Sequence, residues 1–505
     1  MLREHQANEN VRKQQQGHGR PIISWLDETN GFRFVAVKST LHWGKNWLIF
    51  PNFLIYFLKK TFGHEWGEDE RRKGQHPLFR WLQKTQTYSD SQPGEQKVKS
   101  IVMMGFIACW LHLAYALYLI AHHDELPNPL LKRLRHPTNF MPAYYETIVG
   151  SALAVAGMEI SCAETKTSST PAPEFRAKSK TSGKTYEIEA KRKNGWKAPT
   201  DDVTNESFGR ELESYVRDQI YNASKKKLTN PVFWFELSIP TMTTEADWRA
   251  VTEIAKAAIH GAEENMTVGG QPISSAYVII TNHTFLANED ITGNPHFGFL
   301  QTIKIDDFPF GQQIELETAL ERYDKHRDIF WLMNAWKTAS TVPTTFDGSP
   351  PELLDSDGKP QPTIKIGDLI EAPDIDGKTV RATVEEISTL GDEATLIVVA
   401  NGRRWIVRMP LTPGEARAAQ RYTDAVFGKN NTTHKLREDD PFDLYDWQLK
   451  VNSNMTQENV DKFFEQHPTL AHYKDLSLKE ARIRISREHT KWMWMSTQTH
   501  HSPQD

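Results

Sequence analysis

The chain has 505 residues, 38% of them hydrophobic and 25% charged, and a formal net charge of −5. That composition is of a soluble globular protein of about two to four domains, and it excludes a basic nucleic-acid coat, so any nucleic-acid surface has to be local. Its two cysteines, Cys109 and Cys162, sit in apolar contexts without Cys-x-x-Cys spacing. This excludes a disulfide scaffold and a cysteine-type zinc site, and points to a reduced, cytoplasmic setting.

The first twenty residues are polar and lack an apolar signal core, and the opening ones read as disordered. Residues 20–140 then read as a mostly helical region. Phe53, Leu54, Phe57 and Leu58 form one helical stripe, a further helix start follows Arg71-Arg72-Lys73, and a polar stretch from Thr87 to Gln96 reads as a link. From Ile101 to Ala121 there are 21 residues without a formal charge. That length could cross a bilayer, but His112, Tyr115 and Tyr118 lie within it and no comparable second span exists. A buried core helix is the favoured reading and a membrane partner the disfavoured one. Leu130, Leu131 and Leu134 make a basic amphipathic turn with Lys132, Arg133 and Arg135, stopped by Pro137.

Residues 141–340 alternate helix and strand. A helix opens near Pro142 and runs to about Gly157, strands follow at Met158–Ala163, Phe175–Lys178 and Tyr186–Lys191, and Ser182-Gly183-Lys184 turns the last two into a hairpin. A helix from Phe208 to Lys226, a strand at Val232–Ile239 apolar enough for burial on both faces, a helix from Glu245 and strands at Ala276–Thr281 and Leu300–Ile305 complete an α/β core with a mixed sheet. Residues 341–363, rich in Pro, Ser, Asp and Gly, read as a linker. Four short strands within 364–410, with hairpin signals at Asp376-Gly377 and Asn401-Gly402, predict a small β-barrel. Residues 411–495 read as a helical C-terminal region, with the last ten residues of the chain disordered. The expected fold class is therefore multi-domain α/β.

The stretch from Pro142 to Lys193 carries the chemistry. The hairpin brings Glu174, at the head of one strand, close to Glu189 on the next, 15 residues on. Glu189 and Lys191 are two apart and share a strand face with Glu187, whereas Ile188 and Ala190 face the core. Paired carboxylates can hold Mg²⁺, which keeps several waters for a phosphate. A neighbouring lysine can orient the water and offset phosphate charge. Glu146, in the first turns of the preceding helix, can approach the same place.

These residues resemble the PD-(D/E)xK phosphodiesterase superfamily, which includes many restriction endonucleases and repair nucleases. The order matches: helix with Glu146, strand, Pro173-Glu174-Phe175, strand with Glu189-Ala190-Lys191, helix, strand. Ala143-Tyr144-Tyr145-Glu146, Ala156-Gly157 and Glu189-Ala190-Lys191-Arg192 are similar to a family of uncharacterised bacterial proteins within it, and Ala114 to Arg135 is similar to that family's helical lead-in. The likeness covers about residues 100–300. It implies a restriction-endonuclease-like core in which Glu174 and Glu189 bind Mg²⁺, or Mn²⁺ in its place, Lys191 is catalytic and Glu146 assists as a further metal ligand. It implies cleavage of nucleic acid, DNA before RNA, with a role in defence against foreign DNA. Glu174 stands where Asp is commoner, which lengthens the reach by one methylene.

Residues 176–227 hold 13 Lys/Arg against 8 Asp/Glu. Arg192, Lys193 and Lys197 are candidate phosphate contacts. Lys225-Lys226-Lys227 reads equally as a phosphate contact or a solvated helix end, and Arg217 and Gln219 as site neighbours or an exposed helix face. His112, His122, His123, His136 and His283 lack metal-site spacing and read as packing or surface residues. Arg403, Arg404 and Arg408 read as nucleic-acid contacts or interdomain packing. Trp492, Met493, Trp494 and Met495 read as packing against another domain or chain, so the C-terminal region is the candidate surface for a homo-oligomer or a partner protein. Two rival functions remain: a non-catalytic nucleic-acid-binding protein on a decayed nuclease fold, and a membrane-tethered effector using residues 101–121.

Overall fold

The structure is a computed structural model that describes residues 22–27, 29–92, 101–123, 126–162, 172–308, 314–346, 350–354, 361, 363–374, 377–428 and 441–499. Residues 1–21, which include the opening residues expected to be disordered, lie outside these. The chain divides into two compact units, one of residues 1–305 and 328–428, the other of residues 306–327 and 429–505.

The region expected to be helical opens instead with a three-stranded antiparallel sheet, β1 (Ile23–Asp27), β2 (Phe32–Val37) and β3 (Thr40–Gly44). Two tight reversals make it. Gly31 has φ 68° and Lys38 φ 52°, the left-handed backbone that hairpin turns need. Val35, Val37 and His42 point inward, while Trp25 and Trp43 stand exposed on the other face. With apolar residues on both faces, the sequence lacks the two-residue alternation that announces a strand.

Helices follow: α1 (Phe50–Phe62), α2 (His64–Lys73), α3 (Pro77–Ser91), α4 (Gly105–His123), α5 (Asn128–Leu134) and α6 (Phe140–Val155). α3 takes up the first half of the stretch expected to be a link, and residues 93–100 lie outside the described ones. α4 is long and apolar enough to cross a membrane, yet 94% of its apolar stretch is buried inside the protein. It packs against α1, α3 and α6. The last of these contacts is close: a Cβ on Gly150 would lie 3.1 Å from Ile120 and 3.3 Å from Phe175, which presses α6 onto both α4 and the sheet.

That sheet has six strands in the order β11-β10-β7-β6-β5-β4: β4 (Glu159–Cys162), β5 (Phe175–Lys178), β6 (Thr185–Arg192), β7 (Pro231–Glu236), β10 (Ala276–His283) and β11 (His296–Ile303). A two-stranded ribbon, β8 (Thr267–Val268) with β9 (Gln271–Pro272), precedes β10. β6, β7 and β10 are mutually parallel and the outer pairings antiparallel, so the sheet is mixed, as expected. Ile188, Ala190, Val232 and Trp234 pack on the α4 and α6 side. Phe233, Phe235, Val278 and Ile280 pack on the other side, against α7 (Glu206–Ser224) and α8 (Glu245–Asn265). Every residue of β7 is buried, the two-sided covering that its unbroken apolar run predicts. One hydrophobic cluster extends from Ile22 to Phe346, so the N-terminal helices and the sheet share a core. α9 (Leu316–Ala339) ends this part of the chain.

The predicted barrel is an open meander. Among the described residues, β12 (Leu369–Pro373), β13 (Thr379–Leu390), β14 (Glu393–Ala400) and β15 (Arg403–Pro410) pair only with their chain neighbours, and β12 and β15 are edges. Four strands in simple succession leave the ends too far apart to close. Asn401 and Gly402 both have positive φ, 53° and 72°, and reverse the chain where their sequence signals it. Asp376 lies outside the described residues. α10 (Pro413–Phe427) supplies Ala418, Ala419, Val426 and Phe427 to the core of this sheet.

In the second unit, α11 (Pro441–Asn452), α12 (Gln457–Gln466) and α13 (Leu478–Thr499) pack with residues 306–327. Charged pairs knit it: Arg487 to Asp324 at 2.6 Å and Arg484 to Glu317 at 2.6 Å. Trp492 stacks on Phe463 at 6.0 Å. The C-terminal tail, expected to be disordered over its last ten residues, is helical to Thr499.

A candidate active site at the hairpin edge of the sheet

The β5–β6 hairpin sets the geometry. Its turn is built by Ser179, whose hydroxyl accepts from the amides of Thr181 and Ser182 and donates to Asp328 at 2.8 Å, and by Gly183 at φ 75°. The resulting register pairs Phe175 with Ile188, and the Glu174 amide donates to the Ile188 carbonyl at 3.0 Å. Glu174 therefore lies level with Glu189. Ile188 and Ala190 anchor β6 in the core by their buried side chains, which turns Glu187, Glu189 and Lys191 to the opposite face.

Lys191 joins the two carboxylates. Its Nζ donates to Glu174 at 2.6 Å and lies 2.8 Å from Glu189. A second lysine, Lys226, closes the group from beyond the end of α7. Its Nζ is 2.6 Å from the other Glu189 oxygen, 3.6 Å from Glu174 and 2.9 Å from the Ala172 carbonyl. Burial pushes the Glu189 carboxyl above its ordinary range; Lys191 counters this and Glu174 adds to it. Burial alone would lower the Lys191 ammonium, but Glu174 and Glu189 outweigh it and raise the pKa. The result is a compact two-plus, two-minus cluster in which Glu189 is almost wholly enclosed and Lys191 is 38% exposed.

Glu146 sits on α6 beside this cluster, near enough for Glu174 and Lys191 to affect its ionisation. It does not join them as expected. Arg133 at the end of α5 takes both its oxygens, one at 2.6 Å, and burial pushes its carboxyl up against that pairing. Among the described residues, no three His, Cys, Asp or Glu side chains are arranged to hold a metal ion. Two carboxylates do converge, and both present an oxygen to one lysine nitrogen. Mg²⁺ is commonly held by one or two carboxylates and keeps the rest of its shell as water, so the Glu174–Glu189 oxygens fit a hard divalent cation, at the place the ammonium groups now fill.

The expected phosphate contacts are not brought together. Lys193 pairs with Glu211 at 2.9 Å and lies over the rings of Trp196 and Tyr215, a local structural role. Arg192 has the parity of Ile188 and Ala190, so it leaves β6 on the face away from Lys191, where its guanidinium donates to the Leu286 carbonyl. Lys197 is exposed, and among the described residues only its amide is engaged, by Glu211. Arg217 pairs with Glu213 one helical turn away, and Gln219 is half-buried on the same helix. Arg404 pairs with Glu385 and Arg408 lies 3.6 Å from Glu393.

Sequence alone does not place Lys226 or Arg133 against these carboxylates; it marks Lys226 only as a phosphate contact or a solvated helix end. The signal for Lys226 is the parallel β6–α7–β7 crossover, which returns the end of α7 to the strand start beside Glu189. Nothing local marks Arg133 apart from its basic neighbours.

A second carboxylate, Glu236, is buried at the end of β7. It accepts from the His283 amide at 2.7 Å, the His283 ring at 2.8 Å, Thr281 at 2.8 Å and the Ser238 amide at 3.2 Å. Tyr145 extends the network to Thr281 at 2.8 Å. His112, also buried, meets Asn294 and the ring of Phe285. No protein-family model matches this chain, and no curated protein or solved structure is detectably similar to it.

Proposed function

We propose that the chain is a metal-assisted phosphodiesterase acting on nucleic acid, DNA before RNA, with its site at Glu174, Glu189 and Lys191. The observation that supports this is the meeting of both carboxylates on one lysine nitrogen, at 2.6 and 2.8 Å. A divalent cation held by Glu174 and Glu189 would polarise the phosphate and acidify a water. Lys191, released from its carboxylates, would set its ammonium beside the phosphate oxygens, where charge grows as the phosphorus is attacked. Lys226, tethered to the Ala172 carbonyl, would offset the negative charge of the ligands and the incoming strand. Arg133 holds Glu146 in place beside the site through both carboxylate oxygens.

One observation favours a second reading. The two lysines already neutralise the two carboxylates, as they would in a non-catalytic nucleic-acid-binding protein on a decayed nuclease fold. A nicking assay on supercoiled DNA separates the two. The proposal expects nicking in Mg²⁺ or Mn²⁺, none in EDTA, and binding without cutting in Ca²⁺, whose looser coordination activates water less. Cutting undiminished by EDTA, or no cutting with any divalent ion, defeats it.

A further inference from the structure

The carboxyl ends of the parallel strands β6 and β7 border a recess that the carboxylate cluster does not use. It is an open cleft of about 360 Å³ between the loops that follow the two strands, bordered also by Leu286, within the roughly 300–1,000 Å³ of small-molecule pockets. Its lining includes Arg192, Asn194, Trp196, Thr200 and Ser238 and no acidic side chain.

Three observations mark it as built to bind. The Ser238 hydroxyl and the Arg192 Nε are both enclosed without a hydrogen-bond partner among the described residues, and such groups call for a ligand or a function. Ser238 is 2% exposed and held at φ 53°, a strained backbone for a non-glycine residue and one that collects at ligand sites. The bonds Arg192 does make are long, 3.3 Å to the Leu286 carbonyl and 3.5 Å to Asn194. Glu236, which influences Arg192 electrostatically, has its oxygens occupied by His283, Thr281 and the Ser238 amide, and among the described residues no ion pair takes up the guanidinium.

We propose that this recess binds a small phosphate-bearing anion of about mononucleotide size, gripped by the Arg192 guanidinium with Ser238 and Asn194 as further donors. The ligand is either a free nucleotide or the terminal phosphate of a strand. The inference stands apart from the nuclease reading, because Arg192 leaves β6 on the face away from Glu189 and Lys191.

The test is calorimetric titration of the full chain, in EDTA, with inorganic phosphate, AMP, and 5′-phosphorylated and 5′-hydroxyl oligonucleotides. AMP or the 5′-phosphorylated strand should bind more tightly than phosphate alone, and the two arms assign the source. Asn194→Asp, a surface change that adds a carboxylate at the recess, should weaken binding about tenfold or more. Ser238→Gly, which keeps the positive φ and removes the hydroxyl, should weaken it by a smaller factor. No binding of any phosphate compound below about 1 mM, or binding by both Asn194→Asp and Ser238→Gly as tight as the wild type's, would each overturn the proposal.

Discussion

Glu189 and Glu236 are buried carboxylates on adjacent strands of one sheet, and their partners are opposite in kind. Glu236 accepts from two backbone amides, a histidine ring and a threonine hydroxyl, all fixed by the fold. Glu189 accepts from the ends of two lysines, and Lys191 and Lys226 keep 38% and 20% of their side chains in solvent. Fixed neutral donors around an enclosed carboxylate make a structural knot. Long flexible cations can swing away and leave the oxygens to another cation. The same residue type is thus a fastening at one strand end and a partner of mobile cations at the next.

The largest expected effect breaks the fastening. Glu236→Ala would leave four buried donors unsatisfied and should cost about 4 kcal/mol or more in denaturant unfolding. Glu189→Gln should stay within about 1 kcal/mol of wild type, because its lysine partners can turn to water. Equal losses in the two would erase the distinction. Arg133→Ala comes next. It leaves Glu146 enclosed and unpaired and should cost about 3 kcal/mol at neutral pH. The carboxyl is already pushed up by burial, so the loss should shrink as acid protonates Glu146; thermal melts at several pH values would read this.

A smaller effect concerns His76, the cap of α3. Its Nε2 lies 2.9 Å from the Leu134 carbonyl, and its Nδ1 accepts from the Leu78 amide. Burial lowers it to about 4, with Leu134 opposing. The folded state therefore prefers the neutral ring. Its contribution should be complete above the unfolded value of about 6.5 and be lost as pH falls towards 4, a few kcal/mol at most. His76→Asn, which can still cap, should flatten that part of the stability–pH curve. The smallest effect sharpens the comparison: Tyr145→Phe removes one hydrogen bond at the rim of the Glu236 network and should cost about 1 kcal/mol.

The carboxylate cluster was more legible than the fold around it. Parity puts Glu189 and Lys191 on one face of β6, and a hairpin brings Glu174 level, because both follow from period two and one turn. The β1–β3 sheet was missed although Asn30-Gly31 is a hairpin signal, since Ile23, Trp25 and Trp43 put apolar residues on the outer face. The barrel failed on closure, which strand count and pairing decide and no local pattern announces. Lys226 and Arg133 enter through long-range packing, and Arg192 fell to the wrong face because one residue of parity separates it from Lys191.

The measurement that bears most directly on the central claim is nicking of supercoiled DNA in Mg²⁺ by wild type, Lys191→Ala and Glu174→Gln, each first matched by thermal melting. The account predicts that wild type nicks and that both variants fall by at least about a hundredfold while remaining folded. Nicking at the wild-type rate by both variants would place the chemistry elsewhere in the chain and contradict it.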